Sequence, residues 1–448
     1  MALLSGKNKV ILSGMLGNGL EWYDYALYGH MSVIFSKLFF PAGDSSQNLI
    51  ITLLIFAFGF LPRPLGSIFF GWLGDKFGRK SALTASMIMM AIPTGCIGLL
   101  PTYASIGIMA PVLLTFIRAV QGFSLGGAYS GSISYVVEHA PPEKRATIGS
   151  VIKLSLVIGF LLGSMVSTII ASIVGDDAFV QWGWRIPFFL GVLIGVVGFY
   201  IRNHGEESPV YEQAKQEGAL SQNPLRDTFV KYPSKMLRAF MFYMFVTVPF
   251  YIIAIYTIAY SKNHLGLSQS DALLINSLSM ASMFITIFPA ARLADKIGRK
   301  RVLLGAIIAM LLVVYPAFNL MQSGLVTHMD IVQLEDGSSA QKIVFDHAAN
   351  FMNVLIAQVI MAMILGWYLG PIPATLVEIF PTSVRYTGMS LSYNLCAIIG
   401  GFTPSIAEYL IRSTDSNTSP VWLMVGSGVL SFIFVFTYKD KWREPLPA

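Results

Sequence analysis

Charged residues are scarce in this 448-residue sequence, since Asp, Glu, Lys and Arg make up only 12% of it. Soluble domains carry about 25%, and hydrophobic residues here reach 54%. A water-soluble enzyme of this length needs far more solvated surface, so that class is excluded. The apolar residues occur in runs of roughly 20, which match the hydrocarbon thickness of a bilayer. The composition therefore predicts a protein that crosses the membrane many times.

Cysteine is nearly absent, because only Cys96 and Cys396 occur and both lie in apolar runs. No disulfide framework is indicated. The sequence also lacks a glycine-rich phosphate loop, which disfavours ATP-driven chemistry. His, Cys and Asp residues form no cluster at metal-ligand spacing. We therefore expect no enzymatic activity, no cofactor and no metal.

Twelve apolar runs predict an all-α membrane protein of two pseudo-symmetric six-helix bundles. The runs are far longer than the roughly 10 residues of a barrel strand. The first run carries Glu21 and Asp24 and is too long and too acidic for a cleaved signal peptide. The predicted helices lie near residues 11–39, 49–73, 82–100, 105–136, 147–174, 185–202, 237–261, 270–291, 302–322, 350–376, 386–411 and 420–438.

Hydrophilic stretches divide the chain. We predict an N-terminal bundle (1–202), a cytoplasmic linker (203–236), a C-terminal bundle (237–438) and a short cytoplasmic tail (439–448). A second polar insert, Ser323 to His347, lies between the ninth and tenth helices.

Basic loop residues predict the orientation. With a cytoplasmic N-terminus, three of the 30 Lys and Arg residues lie inside helices and most of the others fall on the inner side. The outer side receives Lys37, Arg185, Lys262, Lys342 and Arg412. Cytoplasmic loops are enriched in Lys and Arg, so both termini are expected in the cytoplasm. The net charge of +6 then reflects topology, and no nucleic-acid partner is expected.

Two segments occur twice, once in each half. The segment 71–80 (GWLGDKFGRK) matches 291–300 (ARLADKIGRK), displaced by 220 positions. Five residues between Glu138 and Ser150 recur between Glu378 and Ser390, displaced by 240 positions. Such halves imply a pseudo-two-fold axis along the membrane normal, with a binding site between them near the midplane. A rocking transporter needs this symmetry, whereas a scaffold or receptor gains nothing obvious from it.

Several motifs, in order along nearly the whole chain, carry a family resemblance. The segment 71–80 resembles the signature loop of the major facilitator superfamily. Further motifs are 17–25 (GNGLEWYDY), 63–66 (RPLG), 118–127 (RAVQGFSLGG), 182–188 (WGWRIPF), 207–212 (ESPVYE), 370–371 (GP) and 380–388 (FPTSVRYTG). In these segments the chain is similar, more narrowly, to the metabolite:proton symporter family, which includes bacterial proline/betaine, α-ketoglutarate, citrate and shikimate permeases.

The resemblance implies a major facilitator fold in a bacterial inner membrane. It also implies proton-coupled uptake of a small polar metabolite by alternating access, driven by the proton gradient and carried out by a monomer in the lipid bilayer. A proline/betaine-type osmolyte symporter is one alternative, and a proton-independent facilitator or exchanger is another. A transporter-like receptor is less expected, because the soluble segments are too short to hold a signalling element.

Charged side chains inside membrane helices are the candidate transport residues, because each costs about 2.5–3.5 kcal/mol at a helix centre. Glu21, Asp24 and Tyr28 share one face of the first helix, and Arg118, Gln121 and Tyr129 share one face of the fourth. A carboxylate facing an arginine can hold or release a proton as substrate competes for the arginine. The alternative is an ion pair that only orients two helices. His30 is a further candidate relay, although a packing role is the simpler interpretation.

Charged residues near the predicted cytoplasmic ends are the candidate gate. An aspartate at a helix end can pair with the N-terminus of a neighbouring helix or with loop arginines, and such contacts would break as the halves rock. The alternative is a plain topology signal. Arg63, between Pro62 and Pro64, is expected to have a structural or gating role. The other gate candidates are Asp75, Arg79, Arg145, Asp295, Arg299 and Arg385.

Further substrate contacts are expected from Trp367, Tyr368 and Asn394, although aromatic residues in membrane helices are commonly packing residues. Two positions depart from the family pattern. Ala128 replaces the family's Glu, and Lys153 stands where an uncharged polar residue is usual. A more positive cavity favours an organic acid as substrate, provided that Lys153 faces inward and does not snorkel to the interface.

One acid near the predicted outer end falls outside these groups. Glu408 lies four residues before Arg412 on the eleventh helix. Residues at this spacing are neighbours on a helix surface, so we expect the two to pair.

Overall fold

A computed structural model of the chain describes residues 18–19, 22–40, 45–77, 79–126, 129, 133, 136–137, 140–203, 224–333, 339–381, 384–444 and 446. At 45–46, 71–77, 79–83, 194, 197–198, 200–203, 224–227, 327–333, 339–346 and 386 the description is of the backbone alone.

Six helical units make up the first half of the described chain. Two of them are interrupted: α1 by a turn at Met31, and α2 by turns over 59–62. The units are α1 (22–30 and Ser32–Leu38), α2 (Ser45–Phe58 and Arg63–Phe77), α3 (Arg79–Leu99), α4 (Met109–Ser124), α5 (Arg145–Val174) and α6 (Arg185–Asn203).

Six further helical units make up the second half. They are α7 (Pro233–Tyr251, continued by a π-helical segment Ile252–Tyr256 and by Thr257–Asn263), α8 (Gln269–Ile297), α9 (Arg299–Gln322), α10 (Phe351–Leu369 and Ile372–Ile379), α11 (Arg385–Thr414) and α12 (Val421–Phe436). Shorter helices occur at Tyr103–Ile106, Pro142–Lys144, Asp176–Ala178, Phe179–Gly183 and Pro224–Lys231. The twelve-helix prediction is confirmed, with most ends within a few residues of those expected.

Seven helices of the described chain are long and apolar enough to cross a membrane by length and composition. They belong to α2, α5, α7, α8, α9, α10 and α11. Shorter apolar helices lie within α3, α4 and α12. All backbone polar groups in hydrocarbon must be satisfied internally, and apolar helices of this length meet that condition.

The polar insert between α9 and α10 folds as a β-hairpin. Strand β1 (Val326–Gln333) pairs antiparallel with β2 (Ser339–His347), in a register that runs from Thr327 opposite Phe345 to Gln333 opposite Ser339. The sequence indicated only a polar segment here. The hairpin is a local departure from the all-α prediction and lies outside the helical bundle of the fold.

The two halves pack through equivalent helices. Helix α5 of the first half contacts α8 of the second, and α2 of the first half contacts α11 of the second. The counterpart of α5 in the second half is α11, and the counterpart of α8 in the first half is α2, so each pair is the image of the other. This is the contact pattern expected of two halves related by a pseudo-two-fold axis.

Close contact between α2 and α4 brings two arginines of the first half together. A Cβ atom at Gly122 would fall on the carbonyl group of Gly59, so only glycine fits there. Small residues let membrane helices approach backbone to backbone. Arg118, one turn before Gly122, and Arg63, one turn after Gly59, are therefore brought to the same region.

Candidate functional site

A buried chain of hydrogen bonds links α1, α3 and α4. The hydroxyl of Thr94 lies 2.8 Å from Oδ2 of Asp24 as a donor, and it accepts a hydrogen bond of 2.9 Å from Nε2 of Gln121. Oε1 of Gln121 in turn accepts from Nη1 of Arg118 at 2.7 Å. All four side chains are buried. The predicted partners Asp24 and Arg118 are thus connected through two uncharged residues.

Two buried guanidinium groups stack on one tyrosine ring. The ring centroid of Tyr25 lies 4.2 Å from the Arg118 guanidinium carbon and 4.6 Å from that of Arg63. The ring of Tyr28 also contacts Arg118 at 4.6 Å, and that of Phe60 contacts Arg63 at 4.0 Å. Such cation–π contacts stabilise desolvated cations by about 2 kcal/mol.

The hydrogen-bonding capacity of these two arginines is only partly used. Nε and Nη2 of Arg63 and of Arg118 are buried and make no hydrogen bond of normal geometry within the described residues. Neither guanidinium has a carboxylate partner there. Buried polar groups without partners are costly. Two buried guanidinium groups with unused N–H donors have the chemistry of a site that binds an anionic group.

Lys153 faces the interior. Its ammonium group lies 4.9 Å from the ring centroid of Tyr129 and 5.4 Å from that of Tyr243, and the residue is 1% exposed. The ring of Tyr393 packs against both tyrosines, with centroid separations of 4.5 and 5.2 Å. Tyr243 and Tyr393 belong to the second half, so the lysine sits where the halves meet. It does not snorkel to the membrane interface.

Other predicted contacts occupy different places. Tyr368 donates to the carbonyl of Phe242 at 2.9 Å and packs inside the second half, while Trp367 is half-buried. Nδ2 of Asn394 donates to Oγ of Ser67 at 2.8 Å, which joins α11 to α2. Tyr368 is therefore a packing residue in this conformation, and Asn394 bridges the halves.

His30 is fully buried and faces α5, where a Cβ atom at Gly163 would lie 3.7 Å from its ring. Its ring lies 6.4 Å from that of Phe160. Among the described residues, no hydrogen bond connects His30 to Asp24 or Thr94. Glu21 and Ala128 lie outside the described residues, and the side chains of Asp75 and Arg79 do too.

An ionic cluster closes one end of the bundle, called here the basic end and defined by Arg145, Arg299 and Arg385. Asp295, at the end of α8, accepts hydrogen bonds from the backbone N–H groups of Ala146 (3.0 Å) and Thr147 (2.9 Å). These groups begin α5, where the helix dipole favours a negative charge. The structure therefore has the contact between an aspartate and a neighbouring helix N-terminus that the repeat led us to expect.

Glu378 joins the same cluster. Its Oε1 lies 3.0 Å from Nη2 of Arg299 and 3.8 Å from Nη1 of Arg145, so it bridges the two halves. Arg385 donates from Nε to the carbonyl groups of Val377 (3.0 Å) and Phe380 (3.2 Å). Sequence reasoning did not name Glu378 as a gate residue, although it is a member of the repeated segment.

Uncharged contacts join the two halves farther along α5. Oγ of Ser164 on α5 donates to the carbonyl of Leu273 on α8 at 3.0 Å and lies 2.8 Å from Oγ of Ser277. The ring of Phe160 packs on Phe250 of α7 with a centroid separation of 4.8 Å. Between the basic end and these contacts, Arg63, Arg118 and Lys153 are shielded from solvent, each at 1% exposure or less.

A second polar cluster lies in the C-terminal half, and its composition corrects one expectation. Glu408 accepts hydrogen bonds from Tyr256 (2.8 Å) and from Nε2 of His264 (3.0 Å), so the expected pairing with Arg412 is wrong. The reason is burial: Glu408 is 2% exposed and faces α7, whereas Arg412 is exposed.

Side-chain amides from other helices donate hydrogen bonds to the π-helical segment of α7. Its carbonyl groups at Ile253 and Ala254 accept from the amide of Asn276 at 3.2 and 3.1 Å, and Ile253 also accepts from Gln358 at 3.0 Å. Neither these amides nor Thr94 gave a signal in the sequence, because an isolated polar residue in an apolar run is common.

Comparisons with known proteins match the chain to membrane transporters. The profile of the family described as "Sugar (and other) transporter" matches residues 10–228, and that of the "Major Facilitator Superfamily" matches residues 236–447. A proline/betaine transporter of Salmonella typhimurium is 33% identical over 98% of this chain and 84% of its own length. An inner membrane metabolite transport protein of Escherichia coli is 32% identical over 98% of this chain and 96% of its own length.

Solved structures share the fold. The xylose transporter of E. coli, in a partially occluded inward-open conformation, superposes with a TM-score of 0.73 at 17% identity, over 97% of this chain and 98% of that one. A D-xylose-proton symporter gives the same TM-score at 18% identity, over 98% of this chain and 99% of that one. The fold, the repeated halves and the full-length relatives agree with the resemblance seen in the motifs: the chain belongs to the major facilitator superfamily of membrane transporters.

Proposed function

We propose that this transporter imports a small metabolite that bears a carboxylate, together with a proton. The observation that carries the proposal is the pair of buried guanidinium groups, Arg63 and Arg118, whose Nε and Nη2 groups make no hydrogen bond within the described residues. Arginine binds a carboxylate through two parallel hydrogen bonds. A carboxylate placed between the two halves would satisfy the free N–H groups and neutralise part of the buried positive charge.

Proton coupling is proposed to occur at Asp24. The residue is buried and is joined to Arg118 by hydrogen bonds through Thr94 and Gln121. A carboxyl group in such surroundings changes its affinity for protons when a nearby positive charge is paired or unpaired. Substrate that takes up Arg118 would therefore alter proton binding at Asp24. The proton gradient supplies the driving force, and no cofactor is proposed.

Organic acids are the favoured substrates. A more positive cavity was expected only if Lys153 faced inward, and it does. Three basic side chains are then buried in the central region: Arg63, Arg118 and Lys153. Charges interact more strongly in a site shielded from water, so a second carboxylate on the substrate would gain affinity from the lysine. A monomer in a bacterial inner membrane, with both termini cytoplasmic, is proposed as the working unit.

A proline/betaine-type osmolyte is the second candidate substrate. The proline/betaine transporter of S. typhimurium, 33% identical along almost the whole chain, favours it. Zwitterionic osmolytes also carry one carboxylate, so the two candidates share the arginine contact. They differ in the substrate group that would lie near Lys153. A second carboxylate would be attracted by the lysine, whereas a quaternary ammonium group would be repelled.

Competition in proteoliposomes separates these substrates. Uptake of labelled organic acids, proline and glycine betaine is measured with and without an inward proton gradient, and each solute is then tested as a competitor. We expect di- and tricarboxylates to compete best and the gradient to raise accumulation. Displacement by glycine betaine or proline but not by dicarboxylates would refute the organic-acid preference, and indifference to the gradient would refute proton coupling.

Lys153→Gln offers a direct check of the charge argument. It is expected to weaken competition by dicarboxylates about tenfold relative to monocarboxylates, because one buried interaction of about 1.4 kcal/mol is lost. The matched control is Lys37→Gln, since Lys37 is exposed. Equal weakening of both substrate types would show that Lys153 acts on the fold rather than on the substrate.

A further inference from the structure

Thr94 occupies a branch point in the hydrogen-bonded chain of the first half. Its hydroxyl group has one hydrogen but two acceptors within reach: Oδ2 of Asp24 at 2.8 Å and the backbone carbonyl of Met90 at 2.9 Å. A hydroxyl donates one hydrogen bond and can accept two. The single hydrogen can therefore point to Asp24 or to Met90, but not to both at full strength.

Gln121 fixes one side of this branch point. Nη1 of Arg118 only donates, so the amide must present Oε1 to it, at 2.7 Å. The amide nitrogen then faces Thr94, where it donates to Oγ1 at 2.9 Å. The orientation of the amide is thus set by the arginine, and the threonine oxygen always accepts from Gln121 while the chain is intact.

When Asp24 is ionised, every hydrogen bond in the chain points the same way. Arg118 donates to Gln121, Gln121 donates to Thr94, and Thr94 donates to the carboxylate. Hydrogen bonds arranged head to tail strengthen one another. The ionised state therefore holds the Arg118 guanidinium toward Gln121.

When a proton binds to Oδ2 of Asp24, this direction is broken at Thr94. The new O–H group of Asp24 donates to the threonine oxygen, and the threonine hydrogen rotates to the carbonyl of Met90. Two donors now converge on Thr94, so Gln121 is less polarised and holds Arg118 less strongly. Nη1 of Arg118 then becomes available to a ligand carboxylate, in addition to its free Nε and Nη2 groups.

We propose that Thr94 is a positioning residue that couples protonation of Asp24 to the availability of Arg118 for substrate. The proposal rests on the proposed proton-coupled function and deepens it by assigning the coupling to one hydroxyl group. Protonation of Asp24 would then favour substrate binding at Arg118, and bound substrate would favour protonation of Asp24 by the same factor.

Other described groups lie near Asp24. Tyr23, on the same helix, donates its hydroxyl to the carbonyl of Pro187 at 2.9 Å. Helix α6 approaches Asp24 through Gly191, which has no titratable group. From α5, Lys153 is directed to Tyr129 and Tyr243 instead.

Infrared titration of the purified full-length protein tests the proposal without substrate or gradient. The carbonyl stretch of protonated Asp24 is identified as the band lost in Asp24→Asn. Thr94→Val should raise the midpoint of this titration by roughly one pH unit, because the carboxylate loses a donor. Thr94→Ser keeps the hydroxyl and should restore the wild-type midpoint. Thr115→Val is the matched control, since its hydroxyl only donates to the carbonyl of Pro111 on α4.

A double-mutant cycle tests the connection to α4. Gln121→Leu should shift the Asp24 midpoint in the wild-type background and leave it unchanged in the Thr94→Val background, because the effect passes through the hydroxyl. Additive shifts would overturn the proposal. So would an unchanged midpoint in Thr94→Val, failure of Thr94→Ser to restore it, or the absence of any Asp24 band between pH 4 and 10. Since no transport is measured, these outcomes are independent of whether the substrate proposal holds.

Discussion

Neutralising Asp295 is expected to favour opening of the basic end of the bundle. Its carboxylate accepts from Ala146 N–H, Thr147 N–H and the Thr147 hydroxyl, the last at 2.7 Å, and its Oδ1 lies 3.4 Å from Nη1 of Arg299. Asp295→Asn keeps the shape and one acceptor oxygen but removes the charge. The three hydrogen bonds from Ala146 and Thr147 join α5 of one half to α8 of the other, so they exist only while this end is closed, whereas the contact with Arg299 lies within the second half.

The magnitude follows from the difference between charged and neutral hydrogen bonds. A bond to a charged group contributes about 1.5–3 kcal/mol and a neutral one about 0.5–1.5 kcal/mol. Losing the charge therefore weakens the closed state by about 1.4 kcal/mol, even if only one bond's difference is counted. That free energy is a tenfold change in the ratio of closed to open molecules.

Cysteine labelling measures this ratio. Ser150 is buried on α5, about one turn inside the cluster, so Ser150→Cys in a background lacking Cys96 and Cys396 reports access from the basic end. The maleimide labelling rate is expected to rise about tenfold in Asp295→Asn. The control is Asp177→Asn, an exposed residue near the opposite end. An unchanged or slower rate would refute the idea that Asp295 holds this end closed.

Three further substitutions test the rest of the site. Arg118→Lys is expected to lose most uptake while reaching the membrane normally, because an ammonium cannot form a bidentate pair; near-normal uptake would contradict this. Asp24→Asn mimics the protonated state, so exchange of preloaded substrate should survive while accumulation against a gradient is lost. Proton-dependent accumulation by this variant would show that Asp24 is not the coupling site. Glu408→Ala should destabilise the protein by about 2–3 kcal/mol, because Tyr256 and His264 lose their buried acceptor, and thermal unfolding in detergent should place Glu408→Gln much closer to wild type.

The helices and the contact of Asp295 with a helix N-terminus were largely predictable from the sequence. Apolar runs of bilayer length have few alternatives to helices, and the repeat of Asp75 at Asp295 pointed to an anion at a helix N-terminus. The observed bonds from Ala146 and Thr147 to Asp295 follow from that rule.

The hydrogen-bonded chain and the hairpin were not predictable in the same way. Thr94 is one threonine in an apolar helix, and only the approach of α1 and α4 gives its hydroxyl a role. The hairpin over Val326–His347 depends on pairing between two polar segments, and short two-sided strands leave little periodic signal. The direction of Lys153 also required the structure, because a lysine two turns into a helix can extend either way.

The contact between Gly59 and Gly122 has a consequence for how the protein moves. Because α2 and α4 touch backbone to backbone there, Arg63 and Arg118 cannot shift independently of one another. Every buried cation of the central site and the acid Asp24 belong to the same half, whereas the second half contributes mainly aromatic rings and the acids of the gate. Bound substrate would then stay with the first half throughout the transport cycle. The second half would move relative to the first and expose the substrate to one side of the membrane and then to the other.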